Sequence, residues 1–518
     1  MGRFFNTTGF CNPADHYMVE PFRGLLREVY DLIEKKQYFL IYAPRQTGKT
    51  TLLHALAHRL NREGKYIGCV LSVETAGVPS FTEAMANERM VNSLYHISGL
   101  FLPETERPAP PQHPLSLKDD LGAWSESQSK PIVLLIDEAD SLWDDVLVSF
   151  LRQLRDGFQN RPGGFPQSIA LVGLRDIREY RLKARGDNPS LGSGSPFNVK
   201  AKSFFLSTFT KNEVKQLLDQ HTADTGQRFS KAVLEKIHEF SGGQPWLTNA
   251  LANEIVSEML RDDYSQTIRP SMVEAAKERL IAARQTHLDS LVDKLKEDRV
   301  RKVVLAIVNG DAPVYDDWAD SLRYCRDLGI VKADRRELTF ANLIYREIIT
   351  RVLNSSFEGV MTGQEMFQTP FYLRPDGSLD MDKLLREFQQ FYRENSEHWL
   401  DRFNYKEAGH QLLLMAFLQR IVNGGGRIER EMAVGNGRTD LAAYWKNQVF
   451  ALEMKIKRRA NTRETGLDQL CGYLDRLGQQ HGYLVLFEPK KTDEIGWEER
   501  LKWEDVEHRG KRVTVVEL

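Results

Sequence analysis

Cysteine is scarce: four residues in 518, at positions 11, 69, 325 and 471. No two of them form a CxxC pair, so the spacing offers no zinc knuckle, and so sparse a set gives no disulfide framework. Long apolar runs are missing too. The longest, at 412–418 and 133–136, fall far short of the ~20 residues needed to cross a bilayer. The opening stretch MGRFFNTTGF has no secretory apolar core, and Asn6 breaks the myristoylation pattern, which wants Ser or Thr there. Charge of one sign is absent: the net charge is −2 and the isoelectric point about 6.7, so any nucleic-acid binding must come from local patches. His54-Ala55-Leu56-Ala57-His58 has metal-ligand spacing without the glutamate of HExxH, and no GxSxG or guanine-selecting NKxD motif occurs. These absences predict a cytoplasmic protein with reduced thiols and no membrane contact.

What is present is an ordinary globular composition, 41% hydrophobic and 27% charged. At about 150 residues per domain the length predicts roughly three to four domains. Short apolar runs at 39–42, 66–73, 132–136, 169–173 and 204–207 alternate with helical patterns or long loops, which describes a buried parallel sheet. The expected fold class is therefore α/β, with a parallel-sheet core over residues 1–210. Residues 211–300 read as almost wholly helical, broken at SGGQP (241–245), and 301–353 as a winged-helix module with a small hairpin around VKADRRELTF. A connector at 354–400 leads to a second α/β unit at 401–518. The Pro-rich stretch 102–114 and the Gly/Ser-rich stretch 186–196 read as exposed loops. Trp246, Trp318 and Trp399 read as core residues.

The first chemical signal sits between the strand at 39–42 and a helix: Ala43-Pro44-Arg45-Gln46-Thr47-Gly48-Lys49-Thr50, followed by Thr51. This is the phosphate loop GxxxxGK[ST] with alanine at its first position. Successive backbone N–H groups and the helix N-terminus surround the phosphates, Lys49 reaches the β- and γ-phosphates, and Thr50 binds Mg²⁺. The second signal is Ile132-Val133-Leu134-Leu135-Ile136-Asp137-Glu138. An apolar strand delivers Asp137 to its end, where it can hold the Mg²⁺ shell, and Glu138 is placed to polarise a water for attack on the γ-phosphate. Without NKxD, ATP is the expected nucleotide.

These two motifs resemble the additional-strand, catalytic-glutamate class of P-loop ATPases, which includes AAA-type and STAND-like members. NPADHYMVEP (12–21), SPFNVKAKSFFLSTFTKNEV (195–214), SGGQPWL (241–247) and NLIYREIITRVL (342–353) resemble a bacterial and archaeal family of AAA-like ATPases. The resemblance covers residues 1–353 and implies an ATPase core, a helical lid and a winged helix. Arg175, Arg178 and Arg181 follow the fourth strand, where a sensor or trans-acting arginine would stabilise charge on the transferred phosphoryl group; Arg178 is the expected one. A trans arginine implies a homo-oligomer.

The C-terminal region carries a different pattern. Glu453 and Lys455 lie two apart in the apolar strand Val449-Phe450-Ala451-Leu452-Glu453-Met454-Lys455, so they project from one face. If the segment ending at Asp440 pairs with that strand, Asp440 and Glu453 can share a Mg²⁺ or Mn²⁺ ion with Lys455 beside it. Such a site suits phosphodiester hydrolysis, because the metal lowers the pKa of its water and stabilises charge on phosphate. The spacing resembles the PD-(D/E)XK nuclease superfamily. Glu407, on the preceding helix, fits its further acidic ligand, and Gln469 and Tyr473, on the following helix, fit its Q-x3-Y element. Residues 401–518 hold 20 Lys/Arg against 18 Asp/Glu, yet Lys455, Lys457, Arg458, Arg459 and Arg463 form an acid-free stretch suited to a nucleic-acid backbone. A charged strand edge explains that stretch as well. The sequence thus predicts an ATPase controlling a metal-dependent nuclease, with DNA preferred over RNA, in defence or mobile-element biology. Two alternatives remain: a nucleotide-dependent switch or scaffold whose last domain only binds nucleic acid or protein, and a DNA motor with an accessory nuclease.

Overall fold

The computed structural model describes residues 2–112, 116–174, 199–283, 286–308, 313–316, 318–334, 337–361, 372–402, 414, 417–418, 427–431, 440–457, 461–487 and 501–518. By internal contacts the chain divides into two units. The first comprises Met1–Asp289 with Tyr324–Ile330 and Ala341–Ile344; the second comprises Ser290–Arg323, Val331–Phe340 and Tyr345–Leu518.

In the first unit, β1 (Tyr38–Tyr42), β2 (Ile67–Ser72), β3 (Ile132–Asp137), β4 (Ser168–Gly173) and β5 (Lys200–Phe205) form a sheet in the order β2-β3-β4-β1-β5. Every pairing is parallel. Strands β1 to β4 are near-continuous apolar runs because helices cover both faces. Side chains alternate between those faces. Tyr38 and Leu40 join the core made with α3 (Glu83–Phe101), α4 (Leu117–Ser127) and α5 (Asp144–Gly157), while Phe39 and Ile41 join that made with α1 (Leu26–Glu34) and α2 (Lys49–Glu63). Part of the Pro-rich loop is held down: the Trp124 indole N–H donates to the Glu106 carbonyl at 3.0 Å, and Lys130 pairs with the Glu106 carboxylate.

Beyond β5, Thr210 and Glu213 form a reciprocal capping box that starts α6 (Lys211–Thr225). Ser230 caps α7 (Lys231–Ser241), which ends at Gly242 in the left-handed region, and α8 (Pro245–Asn253) opens with proline in its first turn. The chain at 242–243 passes so close to its neighbours that only glycine fits. A Cβ on Gly243 (φ +72°) would lie 1.9 Å from the Phe209 carbonyl oxygen. Helix α9 (Pro270–Ala282) packs on α7 and α8.

The second unit holds a mixed sheet built from β8 (Arg427–Glu431), β9 (Asp440–Trp445), β10 (Gln448–Ile456), β11 (His481–Phe487), β12 (Lys502–His508) and β13 (Lys511–Glu517). A separate hairpin, β6 (Val331–Asp334) with β7 (Glu337–Phe340), also belongs to this unit. The order of the large sheet is β12-β13-β11-β10-β9-β8. Strands β8, β9 and β10 run as an antiparallel meander, and β11 then pairs with β10 in parallel. That parallel step needs a crossover, which we label α10 (Thr462–Leu477). Its Leu467, Leu470, Cys471, Tyr473 and Leu474 pack on Ala451, Leu484 and Leu486. A further helix, α11 (Met381–Arg402), brings Phe388 against Phe417 and Phe487, with ring centroids 5.2 and 6.4 Å apart. Trp318 departs from the core expectation: it is 90% exposed, in a loop where its backbone N–H donates to the Asp316 carboxylate at 3.0 Å. Short polar side chains that bond to the backbone two residues on favour turns, and this turn lies at the surface.

Candidate functional site

The phosphate loop leaves β1, an interior strand between β4 and β5, and Asp137 ends β3, on the far side of β4. Both lie at the carboxyl edge, where the strand order reverses and open α/β sheets bind ligands. Gln46 (φ +56°) and Gly48 (φ +90°) take the left-handed region, with residues of ordinary φ between and beside them. Alternating backbone of this kind turns successive N–H groups toward one point and makes an anion cradle. Helix α2 begins there with Gly48 as its N-cap, adding its positive end.

Lys49 lies folded into the loop, its ammonium donating to the carbonyls of Ala43 at 2.9 Å and Pro44 at 2.8 Å. Burial pushes it down to about 8, against the pull of Asp140 and Asp137. The Thr50 hydroxyl donates to Asp137 Oδ2 at 2.6 Å, so two hard oxygen donors converge. Asp137 Oδ1 accepts the backbone N–H of Glu138 at 3.0 Å. Glu138 itself stands at φ +58°, a conformation that costs a non-glycine residue about 1 kcal/mol or more and that clusters at functional sites. Burial pushes its carboxyl up to about 7, and the Ser72 hydroxyl, donating at 3.0 Å, opposes that rise. Thr51 Oγ1 accepts the backbone N–H of Cys11 at 3.0 Å. His54 stacks on Phe10 with centroids 4.4 Å apart, a packing role in place of metal ligation.

Three contacts at this site escape sequence reading. Ser72, from β2, holds Glu138; Arg23 donates to the Thr47 carbonyl at 2.5 Å; Gln244 donates to the carbonyls of Arg45 and Gln46 at 3.4 and 3.3 Å. The glycine pair before Gln244 was the visible signal for that last approach. Arg175, Arg178 and Arg181, like the stretch 186–196, lie outside the described residues.

The second candidate site lies on β9 and β10. Asp440 begins β9, where the sequence suggested a segment ending there, and stands directly opposite Glu453 in the antiparallel register. Its side chain and the whole of Glu407 lie outside the described residues. Glu453 is fully buried (0% exposed) and pairs with the Lys455 ammonium at 2.7 Å. Both share the sheet face of Ala451, the face that α10 covers. Gly466 lets that helix approach: a Cβ there would lie 2.8 Å from Leu484 and 3.4 Å from the Lys455 side chain. On the same helix Gln469 has a buried carbonyl oxygen that meets no hydrogen-bond donor among the described residues, and Tyr473 is buried. The described cations of the basic stretch are ion-paired. Lys457 pairs with Glu517 at 2.8 Å and Arg463 with Glu504 at 2.6 Å, while Arg458 and Arg459 lie outside the described residues. Among the described residues, no group of three or more His, Cys, Asp or Glu side chains converges as a metal site would.

A parallel sheet, a phosphate loop after its interior strand β1 and an acidic pair closing β3 define the first unit as a P-loop ATPase domain of α/β fold. Residues 33–180 match the AAA domain family, so this region is an AAA-like P-loop ATPase domain. The chain is similar to the Walker-type ATPase of Pyrococcus abyssi, at 12% identity and TM-score 0.47, over 67% of this chain and 99% of that one. It is similar to the RuvB Holliday junction branch migration motor of Thermotoga maritima, at 16% identity and TM-score 0.33, over 63% and 93%. Cdc6p of Pyrobaculum aerophilum matches at 14% identity and TM-score 0.37, over 68% and 97%. No curated protein matches the sequence. Among the described residues no helix is long and apolar enough to cross a membrane.

The state of Lys49 makes a measurable prediction. With its proton lost above about pH 8 in the empty loop, ATP binding there must restore the charge its phosphates demand. Calorimetry in buffers of different ionisation enthalpy is expected to show uptake approaching one proton at about pH 9 and almost none at about pH 7. Affinity should fall by up to about tenfold per pH unit above 8. Equal proton counts at both pH values would remove the buried-lysine account.

Proposed function

We propose that this chain hydrolyses ATP and uses the nucleotide cycle to control a metal-dependent nuclease in its second unit. The observation that carries the nuclease reading is the register of β9 on β10, with Asp440 opposite Glu453 and Lys455 ion-paired to Glu453 on the helix-covered face. An antiparallel meander followed by a helix and a parallel strand supports the likeness to PD-(D/E)XK nucleases.

In the ATPase unit, Lys49 would leave the Ala43 and Pro44 carbonyls to meet the β- and γ-phosphates. Thr50 and Asp137 are oxygen donors of the kind Mg²⁺ prefers, and their convergence at 2.6 Å fits a shared ion shell. Bound Mg²⁺ would offset charge on the phosphates. Glu138, released from Ser72, would take a proton from the attacking water. A trans arginine, with Arg178 the candidate, would come from a second copy in a homo-oligomer.

In the second unit, Asp440 and Glu453 would hold Mg²⁺ or Mn²⁺, with Glu407 as a further acid. Lys455 would orient the attacking water, and Gln469, with a spare acceptor, would steady it. The metal would supply an acidic water and charge stabilisation on the scissile phosphate. DNA is the preferred substrate over RNA, in defence or mobile-element biology. The pairing of Lys457 and Arg463 with carboxylates favours a second reading, in which this unit binds a partner and the chain is a nucleotide-dependent switch.

An assay on supercoiled, linear and single-stranded DNA and on RNA, with Mg²⁺ or Mn²⁺ and with or without ATP, separates the readings. Metal-dependent cleavage that Asp440→Ala abolishes and Lys49→Ala alters is expected. Intact ATP hydrolysis with no cleavage of any substrate moves the switch reading ahead.

A further inference from the structure

The phosphate loop has an outer side as well as an inner one. Each of its carbonyls from Ala43 to Thr47 accepts a hydrogen bond from a side chain. Lys49 serves Ala43 and Pro44, and the Thr47 hydroxyl also serves Pro44 at 2.8 Å. Gln244 serves Arg45 and Gln46 through one shared amide, and Arg23 serves Thr47. In a trans peptide the carbonyl points opposite to the next residue's N–H. Holding the carbonyls of 45, 46 and 47 outward therefore aims the N–H groups of Gln46, Thr47 and Gly48 inward, where an anion would sit. Lys49 must leave its carbonyls when phosphate arrives, but Gln244 and Arg23 need not.

Both outside donors connect to the segment joining β5 to α6, Arg23 directly and Gln244 through its neighbour Gly243. Arg23 donates to the Ser207 carbonyl and stacks on Phe209, its guanidinium carbon 4.7 Å from the ring centroid. The Phe209 N–H donates to the Gly243 carbonyl at 2.7 Å. Gln244 further accepts the Leu247 N–H at 2.6 Å through its side-chain oxygen and so caps α8. One amide thus starts a helix with its oxygen and braces the phosphate loop with its nitrogen.

We propose that Gln244 and Arg23 are positioning residues for phosphate binding, and that through Gln244 the loop before α8 sets the affinity of the site for ATP. This rests on the ATP-site reading and deepens it. When the 242–244 loop is seated, the cradle is preformed and ATP binds without paying to reorganise it. When that loop withdraws, the carbonyls of Arg45 and Gln46 lose their outer tether and the affinity falls.

Gln244→Glu keeps the capping oxygen and removes the donor but adds a negative charge beside the loop, so a neutral variant is paired with it. Gln244→Ser keeps a good cap but is too short to reach the phosphate loop. Mg·ATP affinity is measured by calorimetry, steady-state ATP hydrolysis gives KM and kcat, and thermal melting without nucleotide monitors the fold. Both variants are expected to bind ATP at least about tenfold more weakly and to raise KM with kcat largely kept. The nucleotide-free melting temperature should stay within about 2 °C of wild type, as a retained cap predicts. Arg23→Lys should recover part of the affinity that Arg23→Ala loses, since one donor can still reach Thr47. ATP affinity within about twofold of wild type in both Gln244 variants overturns the proposal, as does a melting loss in both that accounts for the weaker binding. Wild-type protein that takes no ATP, as Lys49→Ala should not, overturns the site assignment itself.

Discussion

Glu138→Gln is expected to lower ATP turnover by at least about 100-fold while ATP binding stays near wild type. Glutamine matches the shape of Glu138 and can still meet the Ser72 hydroxyl, so the residue keeps its place beside Asp137. What it loses is the capacity to accept a proton. The pH profile sharpens the test. Burial pushes the Glu138 carboxyl up to about 7, so in the free protein it is protonated below that pH and a base above it. In the proposed mechanism only the base is active. The kcat/KM for ATP, which reports the free enzyme, should therefore rise about tenfold per unit as pH climbs toward 7, level off, and fall again above about 8 as Lys49 loses its proton. The residual activity of Glu138→Gln should lack that rise. A variant that keeps wild-type turnover, or a wild-type profile flat from about pH 5.5 to 8.5, would remove Glu138 from the role of base.

The parallel sheet was legible because its strands are buried on both faces, which forces uninterrupted apolar runs such as Ile132–Ile136. The phosphate loop was equally plain, since its residues are contiguous. Contacts made across long sequence separations were hidden. Arg23 precedes Thr47 by 24 residues and Gln244 follows Gln46 by 198, and no local pattern pairs them. Ser72 ends an apolar strand like many serines, and only the parallel register, Ser72 opposite Asp137, brings it to Glu138. In the second unit the alternation of β10 revealed that Glu453 and Lys455 share a face. It could not reveal that β9 starts at Asp440, because strand ends depend on pairing. Nor could a run of cations disclose its partners: Glu504 and Glu517 come from strands far along the chain.

Glu453→Gln is expected to abolish metal-dependent cleavage, by at least about 100-fold, and also to lower stability. The two losses have different causes, and a second substitution separates them. Glu453 is wholly buried and Lys455 nearly so, at 13% side-chain exposure, within a sheet face of Ala451, Leu484 and Leu486. Removing one partner of such a pair leaves a charge in an apolar setting, which costs ~3 kcal/mol, whereas replacing both by groups of similar volume is often neutral or better. The double variant Glu453→Gln, Lys455→Met should therefore melt close to wild type while Glu453→Gln alone melts lower. If Glu453 holds the metal, cleavage stays lost in the double variant, because restored packing supplies neither ligand nor ammonium. If the pair only completes the core, the double variant regains whatever activity the single one lost. Asp440→Ala adds the other half of the comparison: as a metal ligand opposite Glu453 in register, it should lose cleavage to the same extent. A double variant that is both stable and active would reduce Glu453 and Lys455 to a structural ion pair and place the cleaving groups elsewhere.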